Sequence, residues 1–590
     1  MVTEFILTDD DPKNGRPNIA PSAFFHIAQF LEPNSGLLPS LLRLRIIHPD
    51  THFPYLHLLH TPSLKTLEAT NVPDHQHPTF FSFLTTLVHK APLLEDIILG
   101  PGRFPLKSLQ AILKFTHLHQ LELRDAVSNI DFAFFQDVGA LPNLESFILD
   151  ARSCKYISRA QDPERKTPPV KHTEVGSPTP EPRLEVDADG PVGSVRSFSS
   201  SPSNQMFGTP KPSSTIDTEG LFWGSPPRPS SPVLRRHEDD DAKVDHPLQP
   251  TFEQISGAAD FSPSTVGGFY QLKKFHVVGR LSLIQDMISF IASTTLEDIS
   301  ITLIRLSHQD LKQQAETEVE AMLKAEAEAK KKKWIAEEET RRRLSMKGKK
   351  YYSRKWSDSL GWQEVIEECD RAEMVRKRTQ ENFDLRTASY ISVLQIVSSR
   401  WAAHLKEVRF NQLASSQPLS ILPALPKQVY ATLFSHPNIE IVEFKQWTLD
   451  SVEDFLSALT SSGAEKLKQL HLPIDDPGAA VPLSGLVDIA KACPMLQSLQ
   501  CCVSTHSPIP EYSIPTSKVL PHGLQTLVVA ANNSTSLWDF NQLLLVARHL
   551  YLAFPHLQTI DSLELAEQWM HIRDLVKMFQ TVRQDDMYRF

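Results

Sequence analysis

The 590-residue sequence holds only five cysteines, Cys154, Cys369, Cys493, Cys501 and Cys502, an odd number with no CxxC pair. That spacing suits neither a disulfide framework nor a zinc knuckle, and it fits a reducing compartment. Glycine is scarce at 21 residues, and no GxGxxG, GxxxxGKS/T or GxSxG occurs. The phosphate-cradling loops and the strained nucleophile elbow are therefore missing, which points away from catalysis and from a bound cofactor. No apolar run approaches the ~20 residues that span a bilayer. The opening MVTEFILTDDDPKNG also lacks a basic stretch ahead of an apolar core. Positive charge is in deficit too: the net charge is −10 and the isoelectric point near 6.2. Nucleic acid and anionic membranes attract a concentrated positive field, so neither is the expected partner. The expected location is the cytoplasm, the nucleus or both.

What the chain does have is leucine at a recurring spacing. In FTHLHQLELRD, Leu118, Leu121 and Leu123 make an LxxLxL strand signature preceded by an apolar helical pattern. Equivalent triplets begin at Leu41, Leu64, Leu94, Leu118 and Leu144, with steps of 23, 30, 24 and 26. Those steps lie close to the period of about 20–29 residues of leucine-rich repeats, whose units bury their apolar face only against neighbours. Further triplets begin at Leu272, Leu296, Leu405, Ile439, Leu467, Leu496, Leu524 and Leu557, making thirteen candidate strands. Between them lie helical patterns such as HPTFFSFLTTLVHKAP. The expected fold is an α/β leucine-rich-repeat solenoid, a horseshoe with a parallel sheet on the concave face, helices on the convex face and two long insertions.

The pattern divides the chain into an N-terminal repeat block at 1–156, an insertion at 157–265, a continued block at 266–308, a second insertion at 309–385 and a C-terminal block at 386–590. The first insertion carries 17 prolines between Gln161 and Pro263, with serine clusters and few periodic apolar residues, and is expected to be disordered. The second has acid-to-base pairs four apart, Glu320/Lys324, Glu326/Lys330, Glu328/Lys332 and Glu337/Arg341. Without a sustained heptad these predict a free-standing charged helix. At the other end LAEQWMHIRDLVKMFQTVRQ is amphipathic and suits a capping helix.

Period-two alternation sends one residue of each strand to the concave face. The central column reads Arg45, Glu68, Ile98, Glu122, Ile148, His276, Ser300, Arg409, Glu443, His471, Gln500, Val528 and Asp561. It is mixed in charge and lacks the positive stripe or stacking rings of a nucleic-acid reader. Arg45, Glu68, Glu122, His276, Arg409, Glu443, His471 and Gln500 are the candidates for contact with a protein partner; simple solvation is the competing reading.

Thr167, Ser177, Thr179, Ser201, Thr209, Ser225, Ser231 and Ser262 each precede proline in the first insertion, where proline-directed kinases could reach them. Arg342-Arg343-Leu344-Ser345 adds a basophilic-kinase pattern beside a split basic cluster, read either as a nuclear-localisation signal switched at Ser345 or as a solvated helix face. His48, His52, His57 and His60 with Asp50 match no metal-binding spacing and read as loop and core histidines.

The units LPSLLRLRI, TPSLKTLEA, APLLEDIIL, LPNLESFIL, CPMLQSLQC and FPHLQTIDS resemble the P-x-L-x-x-L repeats of fungal F-box/leucine-rich-repeat proteins, especially those of mushroom-forming fungi. The tail with Trp569, Arg583, Asp585, Asp586 and Arg589 is similar to theirs. The resemblance implies the substrate-recognition part of a ubiquitin ligase receptor, in which an N-terminal F-box docks the cullin-RING ligase through its adaptor while the repeats hold the substrate. The F-box is not found here: 36 residues precede Leu37, no LPxE-type opening occurs, and PSAFFHIAQFLEP reads as the first convex helix. A ligase adaptor is thus the expected partner only if an F-box is restored upstream. The alternative is a phosphorylation-regulated leucine-rich-repeat scaffold unrelated to ubiquitin; a third reading, a hydrolase, requires Ser, His and Asp side chains clustered in a pocket.

Overall fold

The computed structural model describes residues 2–8, 21–30, 37–47, 53–102, 104–125, 129–157, 267–345, 364–401, 403–413, 422–474, 479–504, 522–531, 538–563 and 566–589. One compact unit takes in Met1–Glu164 and Phe261–Phe590, and Arg165–Asp260 lies outside the described residues. The whole Gln161–Pro263 tract expected to be disordered, with every Ser/Thr-Pro dipeptide in it, lies outside them as well.

Among the described residues fourteen strands make one sheet: β1 Glu4–Thr8, β2 Arg43–Ile47, β3 Thr66–Thr70, β4 Asp96–Leu99, β5 Gln120–Arg124, β6 Ser146–Asp150 and β7 Lys274–Gly279. They continue as β8 Asp298–Ile304, β9 Glu407–Leu413, β10 Ile441–Lys445, β11 Gln469–His471, β12 Ser498–Val503, β13 Thr526–Ala531 and β14 Thr559–Ser562. Every pairing is parallel and the spatial order is the chain order, so the fold is a solenoid-like α/β arrangement. The helices are α1 Pro21–Phe30, α2 His77–Lys90, α3 Leu106–Ile112, α4 Phe132–Gly139, α5 Leu281–Phe290, α6 His308–Ser345 and α7 Glu364–Arg400. They are followed by α8 Lys427–Phe434, α9 Val452–Ser462, α10 Leu483–Ala492, α11 Phe540–Ala553 and α12 Ala566–Arg589.

All thirteen triplets coincide with strands, and a fourteenth strand, β1, precedes them. The triplet signature misses β1 because only Phe5 and Leu7 mark its inward side. The apolar helix expected before Leu37 is α1.

The P-x-L signature has a backbone cause. Leu94 N–H donates to the Ala91 carbonyl at 3.2 Å, Leu496 to Cys493 at 3.1 Å and Leu557 to Phe554 at 3.2 Å. Each is a β-turn with proline at its second position, where the ring presets φ. The residue before each proline leaves the helix in nearly one conformation: Ala91 at φ −127°, ψ 66°, Cys493 at −125°, 71° and Phe554 at −134°, 73°. Proline thus ends the helix two residues upstream and starts the turn that aims the next leucine inward.

Inward residues from the first triplet to the last, with the apolar faces of the helices, form one continuous core. Buried polar groups stitch neighbouring units together. Trp401 Nε1 donates to the Ser293 carbonyl at 2.7 Å, His522 Nε2 to Cys493 at 2.8 Å and His549 Nε2 to Leu483 at 2.8 Å. Burial lowers the pKa of His522 and His549, the carbonyl bonds opposing it only in part. Both therefore act as neutral donors.

Neither insertion interrupts the sheet. β6 pairs with β7 from Ser146↔Lys274 to Asp150↔Val278, and β8 pairs with β9 along seven residues. The second insertion departs from expectation. Instead of standing free, α6 runs antiparallel to α7: Ala315, Val319 and Val375 pack together, Arg378 Nε donates to Glu318 Oε2 at 2.8 Å, and Arg386 donates to Gln314 at 2.9 Å. The seam is built from small residues and polar pairs, so it leaves no heptad in the sequence. Helix α7 also runs unbroken across the 385/386 division drawn from composition.

Leu121 is fully enclosed in the core. Leu121→Ala should cost about 2–5 kcal/mol through the cavity left behind, read as a lowered melting temperature; an unchanged melting temperature would contradict this placement.

Candidate partner-binding face

The alternation that buries the leucines turns the intervening residues to the other side of the sheet. Strand pairing brings the predicted column into direct register: Arg45 beside Glu68, then Ile98, Glu122, Ile148, His276, Ser300, Arg409, Glu443, His471, Gln500, Val528 and Asp561. Ile6 of β1 extends it by one position. Most of these side chains are half-buried, while Glu122 and Glu443 are buried.

Three charged groups stand along the column. In the first, Arg45 Nε donates to Glu68 Oε2 at 2.8 Å, and two strands on Arg124 Nε donates to Glu122 Oε1 at 2.6 Å. The second centres on Asp298, two residues before Ser300 on β8. Its Oδ2 lies 3.0 Å from His276 Nε2 and 3.3 Å from Lys274 Nζ, and its Oδ1 accepts from Arg409 at 3.1 Å. Arg409 also donates to Glu407 Oε2 at 2.6 Å. Burial alone would raise the Asp298 carboxyl, but His276, Arg409 and Lys274 outweigh it and hold the pKa below the usual aspartate value.

The third group centres on Glu443, which accepts from Asn411 Nδ2 at 2.9 Å and pairs with Lys445 Nζ at 2.8 Å, with His471 Nδ1 at 3.5 Å. Burial again opposes ionisation, yet His471, Lys445 and Asn411 pull the Glu443 pKa down to about 2. Satisfied in this way, the two carboxylates are fixed charges on a rigid strand scaffold. Gln500 makes no side-chain hydrogen bond among the described residues.

Column reasoning found His276, Arg409, Glu443 and His471 but missed Asp298, Lys274, Asn411, Lys445 and Arg124, which organise them. The missing signal was the neighbouring columns, since residues two before or two after a column residue share its face. A further row stands one residue before the strands, where Lys65 pairs with Glu95 at 2.7 Å, Lys273 with Glu145 at 2.8 Å, Lys406 with Glu297 at 2.7 Å and Lys468 with Glu440 at 2.6 Å. These exposed pairs contribute little stability each.

The remaining candidates fall elsewhere. Thr167, Ser177, Thr179, Ser201, Thr209, Ser225, Ser231 and Ser262 are outside the described residues, and Ser345 is the last residue of α6. His48, Asp50 and His52 are outside them too. His60 stacks on Phe83 with ring centroids 4.8 Å apart, and burial lowers its pKa to about 4. Among the described residues no group of three His, Cys, Asp or Glu is placed to hold a metal ion, and no helix is long and apolar enough to cross a membrane.

No protein-family model matches the chain, and no curated protein matches its sequence.

The Glu443 network implies an acid-sensitive contribution to stability. Its folded-state pKa is depressed, so the contribution is complete above the ordinary value of 4.5 and is lost as pH falls toward about 2. The gap corresponds to about 3 kcal/mol. Denaturant unfolding between pH 7 and pH 2 should therefore show a steeper acid loss in the native protein than in Glu443→Gln. Parallel curves would mean that the carboxylate is not held by these partners.

Proposed function

We propose that the chain is a leucine-rich-repeat protein that works by binding rather than catalysis. Its partner is a protein held on the open face of the sheet, and its role is the substrate-recognition part of an F-box-type ubiquitin ligase receptor. The observation carrying the binding reading is the unbroken register of the column from Arg45 to Asp561, with its charged side chains paired in advance. Such a face loses little side-chain entropy on association and selects partners by charge pattern. Its alternation of Asp298, Arg409, Glu443 and His471 suits a mixed polar protein surface better than a polyanion.

The ligase role is supported by the P-x-L-x-x-L units and by a tail resembling that of the fungal F-box group, in which Trp569 is buried in the core and Arg583 and Asp585 are exposed. A cullin-RING adaptor would join through an F-box upstream of the repeats. The second reading, a phosphorylation-regulated scaffold, is favoured by the Ser/Thr-Pro dipeptides between Thr167 and Ser262.

A tagged pull-down with mass spectrometry would decide, using this chain, a form extended to any upstream start, and Arg409→Glu in each. The extended form should recover a cullin and its adaptor together with a client protein, and Arg409→Glu should lose the client while keeping the adaptor. Recovery of kinases with no cullin from either form would overturn the ligase role and favour the scaffold.

A further inference from the structure

A second site stands away from the column. Between the base of the α6–α7 pair, the residues after β8 and Pro423 lies a cavity of about 1210 Å³. Six cationic side chains line it, Arg305, Lys312, Arg371, Arg376, Lys377 and Arg386, against two carboxylates, Glu316 and Glu373. That excess is local, because the whole chain carries −10.

The neighbouring Arg378 is held by Glu318 at 2.8 Å and Glu381 at 3.1 Å, whereas Arg371, Arg376 and Lys377 have no ion-pair partner among the described residues. Lys312 has only a distant contact, 3.9 Å from Glu316. The floor is apolar and half-buried or buried, formed by Leu311, Val375, Phe383 and Tyr390. Cations around an apolar floor match an acidic segment with an apolar anchor, as the anchor displaces water that a simple anion would leave in place. The volume also exceeds the ~300–1,000 Å³ of small-molecule sites.

We infer that this cavity is a docking site for an acidic peptide segment of a partner protein, its carboxylates on Arg371, Arg376, Lys377 and Lys312 and one aromatic or aliphatic side chain on Phe383 and Tyr390. The site is independent of the open face of the sheet, so the two can hold different molecules or two parts of one. Simultaneous engagement would raise avidity without any new contact.

The test uses the full chain and a fluorescent peptide of Asp and Glu around one central phenylalanine, followed by anisotropy at about 0.15 M salt. Saturable binding is expected, weakened about tenfold or more by Arg376→Glu with Lys377→Glu. Phe383→Ala should weaken it without altering charge, with circular dichroism confirming that each variant folds. Lys331→Glu with Lys332→Glu, exposed farther along α6, should leave it unchanged. Arg409→Glu on the open face should also have no effect, so failure here and failure of the proposed function are distinguishable. Three results would overturn the assignment: no saturable binding, equal loss from the Lys331/Lys332 reversal, or tighter binding of a single-stranded oligonucleotide than of the peptide.

Discussion

A parallel strand has two hydrogen-bonding edges and, in this chain, one apolar side, and a single helix–strand unit can satisfy neither by itself. Everything in the fold depends on each strand taking the same register as the last. The P-x-L turn enforces that register mechanically. Proline stops the helix, the turn closes with an N–H to carbonyl bond of 3.1–3.2 Å in the three best-matched units, and the leucine enters the core. A slip of one residue would turn every leucine outward and every charge inward. The column from Arg45 to Asp561 is therefore a by-product of packing before it is a surface for anything else.

How much of this could be read from the sequence follows from the same physics. Thirteen strands and the membership of the column were legible because burial repeats a three-residue signature and alternation does the rest. Strand β1 was illegible because its two inward residues, Phe5 and Leu7, carry only part of the signature. Asp298 was overlooked because attention to one residue per strand ignores those two positions away on the same face. The pairing of α6 with α7 was hidden by its chemistry: Ala315, Val319 and Val375 make a seam too small to impose a period, while Glu318 and Arg378 look like any two solvated charges. Position in space decided these cases, and no local pattern records it.

Sequence distance counts for little once the sheet has formed. Asp150 and Lys274 are separated by more than a hundred residues yet lie on adjacent strands. Each doubling of such a connection costs only about 0.6 kcal/mol in closure entropy, which the ladder between β6 and β7 readily offsets. Local ties reinforce the crossing, among them the Tyr156 hydroxyl donating to Asp286 at 2.6 Å. The second connection is used differently: part of it folds back on itself as α6 and α7 and brings the cationic cavity to the flank of the repeats.

The two ends of the sheet are unequal. At β14 the helix α12 closes the core with Trp569, Ile572 and Val576, all buried. At β1 the outer edge of the strand pairs with nothing among the described residues, and Val2 and Ile6, just before it and within it, stand exposed. An unpaired strand edge is a template for another strand. Among the described residues the sheet is thus polar in the sense that a filament is polar: a helix seals the core beside one edge strand, while the other edge strand offers its backbone to a strand of the same kind.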